Sequence, residues 1–119
     1  FFDYFTQLMR LSYGRKLKDL KRWSESIAGG GREWQKRFLA YCQRMIRESF
    51  ICNFHRPEIN YMNAEETNFT SRFAPFVNEK NIFGIMDELS EAQRHIEQNV
   101  NAKMVFFDLA LKMIMLLKQ

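Results

Sequence analysis

The last quarter of the chain constrains the fold most strongly. Between Met104 and Leu117 only Asp108 and Lys112 are polar, and the run contains neither Gly nor Pro. Its richness in Met, Leu and Ala, without period-2 alternation, predicts a helix. At about 14 residues the run is shorter than the roughly 18 that a membrane span needs. We therefore expect a helix that is apolar nearly all round and is surrounded by the rest of the chain.

The two polar residues of this run lie four positions apart, with the acid first. Asp108 followed by Lys112 is the favourable order for an ion pair on a helix surface. We predict that this pair marks the one solvent-facing stripe of the final helix, so that the other side chains of the run are covered.

The remainder of the chain also shows helical spacing of apolar residues, and no segment has the alternation of a strand. Leu17 and Val100 fall on the apolar stripes of their helices and are expected to be buried. The predicted elements are helices over 1–13, 15–28 and 32–55, an irregular stretch over 57–68, a short helix or turn around 69–77, a helix starting after Asn78 or Asn81, a tight turn between Asn99 and Asn101, and the final helix. The fold class is all-α: one bundle of about five or six helices, forming a single domain over residues 1–119.

Composition suits a compact domain in a reducing compartment. With 46% hydrophobic and 15% aromatic residues in 119, the chain can bury a core. It starts at Phe1 rather than Met, so we interpret it as a fragment of a longer protein. Cys42 and Cys52 are separated by about 15 Å if they share one helix, whereas a disulfide needs Cα atoms within about 7 Å. We expect two reduced, buried thiols and a cytoplasmic location.

Charge is divided unevenly along the chain. Residues 10–47 hold eleven Lys or Arg against three acids, and residues 57–101 hold three against eight acids. The two halves either neutralise each other, within the fold or across an assembly, or steer a nucleic acid or an acidic partner. Under the second interpretation the chain is a basic helical nucleic-acid-binding module. Its basic surface would consist of Arg15, Lys18, Lys21, Arg22, Lys36, Arg44 and Arg47.

Residue patterns that carry catalytic or metal chemistry are weak here. Asp87, Glu91 and His95 share one helix face, but the second Glu-x-x-His pair of a carboxylate metal site is missing, so we interpret them as a solvated acidic face. His55 has no ligand-type neighbour at a suitable spacing, and Cys42 lies on an apolar stripe without a partner His. The Gly29–Gly31 run lacks GxxxxGK[ST] and GxGxxG and is interpreted as a flexible turn. We therefore predict no catalytic, cofactor-binding or metal-binding residue.

The closing hairpin resembles the end of clamp-loader subunits. Residues 93–111, QRHIEQNVNAKMVFFDLAL, follow a pattern in which an Arg- or Gln-bearing helix leads to an Asn and then to N-x-[KR]-x-hydrophobic-x-x-[DE]-L-x-L. The whole chain, from FFDYF through YCQRMIRE at 41–48, also looks like the C-terminal part of bacterial DNA polymerase III delta-prime subunits. The positions that match the hairpin pattern are Asn101, Lys103, Asp108, Leu109 and Leu111.

This resemblance implies a collar domain, cut from a longer AAA+ family protein. Such a domain is a helical bundle that packs beside the equivalent domains of the delta and gamma/tau subunits in a hetero-pentamer. It would be a non-catalytic assembly domain with no ATPase activity of its own. It would contact the sliding clamp and DNA only through the whole complex, and it would contact no membrane. The five hairpin positions are carried over as fold-determining residues.

Sequence patterns do not separate residues buried in the fold from those buried in an assembly. The side chains that we consider for contact with a partner are Phe2, Phe50, Phe54 and Phe76.

Overall fold

A computed structural model describes residues 1–53 and 62–118. Within these ranges the chain forms six α-helices and one short 3₁₀ turn, and it contains no strand. The elements are α1 (Phe2–Tyr13), α2 (Leu17–Ala28), α3 (Arg32–Cys52), α4 (Ala64–Phe73), the 3₁₀ turn (Ala74–Phe76), α5 (Ile82–Glu97) and α6 (Ala102–Leu116). The prediction of an all-α bundle of five or six helices is confirmed.

Glycines end the first two helices where the sequence predicts it. Gly14 follows α1, and its backbone N–H donates to the carbonyl oxygen of Arg10 at 3.0 Å. Arg15, the next residue, has a φ of 55°, so the chain reverses there before α2. Gly31 has a φ of 85° immediately before α3, a conformation that favours Gly over any other residue.

Helix α6 lies between α2 and α5 and runs antiparallel to both. Its last turn meets the start of α5, where Leu116 reaches Gly84, and its Lys112 pairs with Glu88 one turn along α5. On the other side, the Phe106 ring lies 5.9 Å from the Trp23 ring of α2. Helix α5 in turn packs along α3, where the Gln93 side chain donates to the backbone oxygen of Lys36 at 3.2 Å.

The core is a single aliphatic and aromatic cluster in the centre of the bundle. Phe5, Phe38 and Phe106, from α1, α3 and α6, are fully buried and bring the three helices together. Burial of this kind stabilises a domain by roughly 25 cal/mol per Å² of apolar surface. The apolar residues at helical spacing in α1, α3 and α5 are for the most part buried in this core.

Residues 64–68, the last part of the predicted irregular stretch over 57–68, are helical. Helix α4 already begins at Ala64, because Asn63 and Glu66 form a capping box: the Asn63 side chain accepts from the Glu66 N–H, and the Glu66 carboxylate accepts from the Asn63 N–H. The predicted end of the third helix and the residues His55 and Phe54 lie outside the described residues.

Helix α5 starts after Asn81, the second of the two predicted caps. The Asn81 side chain is fully buried, donates to the backbone oxygens of Phe76 and Leu116 at 2.8 and 3.1 Å, and accepts from the Asn78 N–H. It therefore ties the 3₁₀ turn, the start of α5 and the end of α6 together.

Burial of α6 differs from the prediction that only one polar stripe faces solvent. Asp108 and Lys112 do form an ion pair, at 3.0 Å, on the surface. Met104 and Met115, however, are 69% and 71% exposed, and Leu111 is 38% exposed. Neighbouring helices contact α6 over the rest of its circumference and leave this face uncovered. Leu17 and Val100, also predicted to be buried, are 51% and 42% exposed: Leu17 is the first residue of α2, and Val100 lies in the turn between α5 and α6.

Candidate functional site

The predicted basic surface is divided among three regions of the molecule. Lys36 lies on the α5 side of α3, within 3.4 Å of Glu33 and 3.8 Å of Glu97. Arg44 lies on the α4 side of α3, and Arg47 is exposed further along the same helix. The remaining four residues, on α2 and the turn before it, are Arg15, Lys18, Lys21 and Arg22. The structure therefore brings together only part of the set that the sequence groups.

Several cations lie around the start of α2. Among the described residues, no carboxylate lies within ion-pair distance of Arg15, Lys18 or Arg22. These three, with Lys16, Leu17 and Asp19, line an open concavity of about 400 Å³. The four cations of this concavity outnumber its one acid, and an excess of positive charge attracts anionic groups, an attraction that salt screens.

A buried polar cluster joins α3 to α4. The Tyr41 hydroxyl donates to the Glu66 carboxylate at 2.5 Å, and the Arg44 guanidinium donates to the same oxygen at 3.1 Å. Burial alone raises the pKa of Glu66, but the hydrogen bonds from Tyr41 and the Asn63 N–H and the charge of Arg44 outweigh it and hold this pKa below its usual value. Burial and the bond to Glu66 raise the pKa of Tyr41. Because Tyr41 and Arg44 of α3 both donate to Glu66 of α4, the cluster holds these two helices together.

The acidic face of α5 turns partly toward α6. Asp87 and Glu91 are exposed, whereas His95 is half-buried, with its Nε2 atom 3.8 Å from the Glu91 carboxylate. The hydrogen bond from Arg94 lowers the pKa of Glu91. Within residues 1–53 and 62–118, no three His, Cys, Asp or Glu side chains are arranged to hold a metal ion.

Across the α5–α6 groove, Lys112 contacts acids from both helices. Its ammonium lies 3.3 Å from Glu88 and 3.0 Å from Asp108, and hydrogen bonds to Asp108 and Glu88 raise its pKa. The arrangement is an exposed ion-pair network that links the two helices of the hairpin.

The five hairpin positions have different surroundings. Asn101 caps α6 by accepting from the Met104 N–H at 3.1 Å, and Leu109 is buried in the core. Asp108 belongs to the surface network with Lys112. Lys103 and Leu111 are exposed.

Side chains from α2 and α6 form an apolar groove with a basic rim. The groove has a volume of about 240 Å³ and is lined by Lys21, Ser24, Asn101, Lys103, Met104 and Phe107. Met104 projects from one wall, and the half-buried Phe107 forms part of the floor. Lys21 and Lys103 are both exposed at the rim. We call this feature, together with the exposed Leu111 and Met115 that continue it along α6, the α6 face.

Three of the aromatic residues that the sequence suggests for partner contact, Phe2, Phe50 and Phe76, are half-buried. Phe2 packs edge-on against Phe69, and the Phe76 ring lies tilted between the rings of Tyr13 and Phe73. Phe50 packs against the core. The most exposed of the large apolar side chains are Phe83 of α5, at 77%, and Met115 and Met104 of α6. No periodicity argument could identify them, because hydropathy alone does not reveal which apolar residues the fold leaves uncovered.

The cysteines are free thiols in different environments. Cys42 is buried as predicted, whereas Cys52, also predicted to be buried, is half-buried because it is the last residue of α3. Burial raises the pKa of the Cys42 thiol well above its usual value, which keeps it protonated and unreactive. Cys42 is therefore a packing residue of α3.

Within the part of the chain that the structure describes, no helix combines the length and the apolar character needed to cross a membrane. Comparisons of the chain with protein-family models, with curated proteins and with solved structures give no match.

Proposed function

We propose that this chain is a non-catalytic assembly domain, the collar domain of a DNA polymerase III delta-prime clamp-loader subunit. In this role it packs against the collar domains of delta and gamma/tau, so that the complex can load the sliding clamp during DNA replication. The longer protein would act in the cytoplasm. The proposal rests on the resemblance of the closing hairpin and of the chain as a whole to that family.

The observation that supports an assembly role is the uncovered apolar face of α6. Met104, Leu111 and Met115 lie at intervals of seven and four residues, which places them on one stripe of the helix. Exposed apolar side chains that form a contiguous patch are typical of protein–protein interaction sites. A second helical domain packed on this stripe would cover the apolar side of α6 that the bundle itself leaves exposed.

Native mass spectrometry of the chain, alone and mixed with the gamma/tau and delta subunits of its own genome, tests the proposal. We expect the chain to enter a mixed oligomer and to show no ATPase activity by itself. A chain that stays monomeric in the presence of both subunits would contradict the assembly role. A parallel experiment removes these 119 residues from the intact subunit. The truncated subunit should then fail to assemble into a pentamer.

A second candidate function is nucleic-acid binding through the cations around the start of α2. The concavity around Arg15, Lys18 and Arg22 is the observation that favours it, because among the described residues none of these three cations is held in an ion pair that a phosphate group would have to displace. Retardation of DNA at low salt, with binding that weakens steeply as salt rises, would support this function. Lack of retardation at low salt would remove it.

A further inference from the structure

The α2–α6 groove is a surface that fits one kind of partner. Phe107 and Met104 contribute the apolar part of its lining. Helical partners commonly bind such grooves by inserting an apolar stripe with side chains at i, i+3 or i+4, and i+7. The two helices that form the groove run antiparallel.

The register of the helices extends this apolar surface beyond the groove. Lys21 and Ser24 of α2 lie opposite Met104 and Phe107 of α6. Since the helices are antiparallel, Leu17, one turn before Lys21, extends towards Leu111, one turn beyond Phe107. Leu17 and Leu111 are both exposed, at 51% and 38%. A helix lying along the groove would therefore meet apolar side chains over about three turns.

The rim of the groove carries charge of one sign. Lys21 stands on the α2 wall and Lys103 on the α6 wall, and no carboxylate lines the groove. Among the described residues, neither ammonium has an ion-pair partner. The groove should therefore favour a bound helix whose apolar stripe is flanked by Asp or Glu, and disfavour one whose stripe is flanked by Lys or Arg.

We propose that the α2–α6 groove is the docking site for an amphipathic helix of a neighbouring helical domain, whose apolar stripe is flanked by carboxylates. The partner stripe packs on Met104, Phe107, Leu111 and Met115, and its acids pair with Lys21 and Lys103. This inference rests on the proposed function for the origin of the neighbour, a collar domain of another clamp-loader subunit. It adds which face of this chain binds the neighbour, and which residues the neighbour's helix carries.

Substitutions at exposed positions test the site without disturbing the core. Met104→Ser with Met115→Ser removes apolar contact, and Phe83→Ser on α5 is the matched control outside the groove. Lys21→Glu reverses charge at the rim. Lys18→Glu makes the same charge change on the same helix but lines the separate concavity at the α2 start. Circular dichroism of each variant establishes that the helices are retained.

The measurement is the dissociation constant for the gamma/tau and delta subunits of the same genome at two salt concentrations. We expect the Met104/Met115 variant and Lys21→Glu to bind at least tenfold more weakly than the wild-type chain. Phe83→Ser and Lys18→Glu should bind within twofold of it. The salt dependence of binding should decrease in Lys21→Glu, because one of the two rim charges has been replaced.

The outcomes separate the two proposals. If the wild-type chain binds neither subunit, the proposed function is wrong, and the named partner is wrong with it. If the wild-type chain binds and the groove variants bind equally well, the docking site is wrong and the assembly role stands. Self-association that the groove variants abolish would assign the groove to a second copy of this chain, which also overturns the inference.

Discussion

The Cδ2 atom of Leu116 occupies the space into which a Cβ at position 84 would project, 2.7 Å from the ideal position of that atom. Gly84 therefore permits the close approach of α5 and α6 at the end of the hairpin. A glycine inside a helix costs about 1 kcal/mol relative to Ala, and here the close contact between the two helices offsets that cost.

Replacing Gly84 with Leu should separate the two helices. We expect a loss of about 1–3 kcal/mol in the free energy of unfolding, because the added side chain overpacks the contact with Leu116. Urea unfolding followed by circular dichroism measures it. Adding Leu116→Ala to Gly84→Leu should restore part of the loss. Equal midpoints for the wild type and Gly84→Leu would show that the contact is not tight.

The Glu66 carboxylate should make stability depend on pH. Its folded-state pKa lies below the usual value of about 4.3, so the unfolded chain binds more protons in acid. The stabilisation is present above the unfolded pKa and is lost as the pH falls through the folded-state pKa. Glu66→Gln keeps the capping box, yet it should cost about 1–3 kcal/mol at pH 7. It should also flatten the acid limb of a stability–pH profile.

The matched control is Glu65→Gln, one residue earlier in the first turn of α4 and exposed. It removes the same charge without touching Tyr41 or Arg44. An acid limb that is equally flattened in both variants would assign the pH dependence to overall charge rather than to the buried cluster.

Asn81→Ala should destabilise the bundle by about 1–3 kcal/mol, because it removes the buried amide that donates to the carbonyl oxygens of Phe76 and Leu116. Thermal unfolding measures the loss. Asn68→Ala, at an exposed position of α4, serves as the control and should not lower the melting temperature. A melting temperature for Asn81→Ala that matches the wild type would mean that water replaces the lost donor at no cost.

Removing the cap of α6 should weaken the final helix. Asn101→Ala loses the acceptor for the Met104 N–H and is expected to cost about 1 kcal/mol. Asn101→Asp keeps an acceptor at the same place and should retain most of the stability. Chemical denaturation of both variants tests this. If Ala and Asp are equally destabilised, the Asn side chain has a role other than capping.

Helix content followed from the sequence because apolar periodicity, glycines and caps act locally. The ion pair of Asp108 with Lys112 was predictable for the same reason. The start of α4 at Ala64 was also encoded locally, by Asn63 and Glu66 at capping-box spacing, but the absence of a long apolar stripe concealed it.

The candidate site followed much less well. Lys36, Arg44 and Arg47 all lie on α3. Because α5 and α4 pack on different sides of α3, Lys36 pairs with Glu97 of α5, whereas Arg44 pairs with Glu66 of α4. Met104 and Leu109 are equally apolar in sequence, and only the arrangement of α2 and α5 around α6 leaves the first exposed. Such differences depend on contacts between distant segments, which single-sequence patterns do not contain.

The polar cluster between α3 and α4 also has a consequence for how uniquely the helices are aligned. Apolar side chains tolerate a small axial shift between two helices, because dispersion contacts have little directionality. Hydrogen bonds do not, because their lengths vary by only a few tenths of an ångström. The two donors on α3, Tyr41 and Arg44, meet one carboxylate oxygen on α4, so a single axial offset satisfies both. Glu66 thus specifies one alignment of α4 among several that the apolar contacts alone would permit.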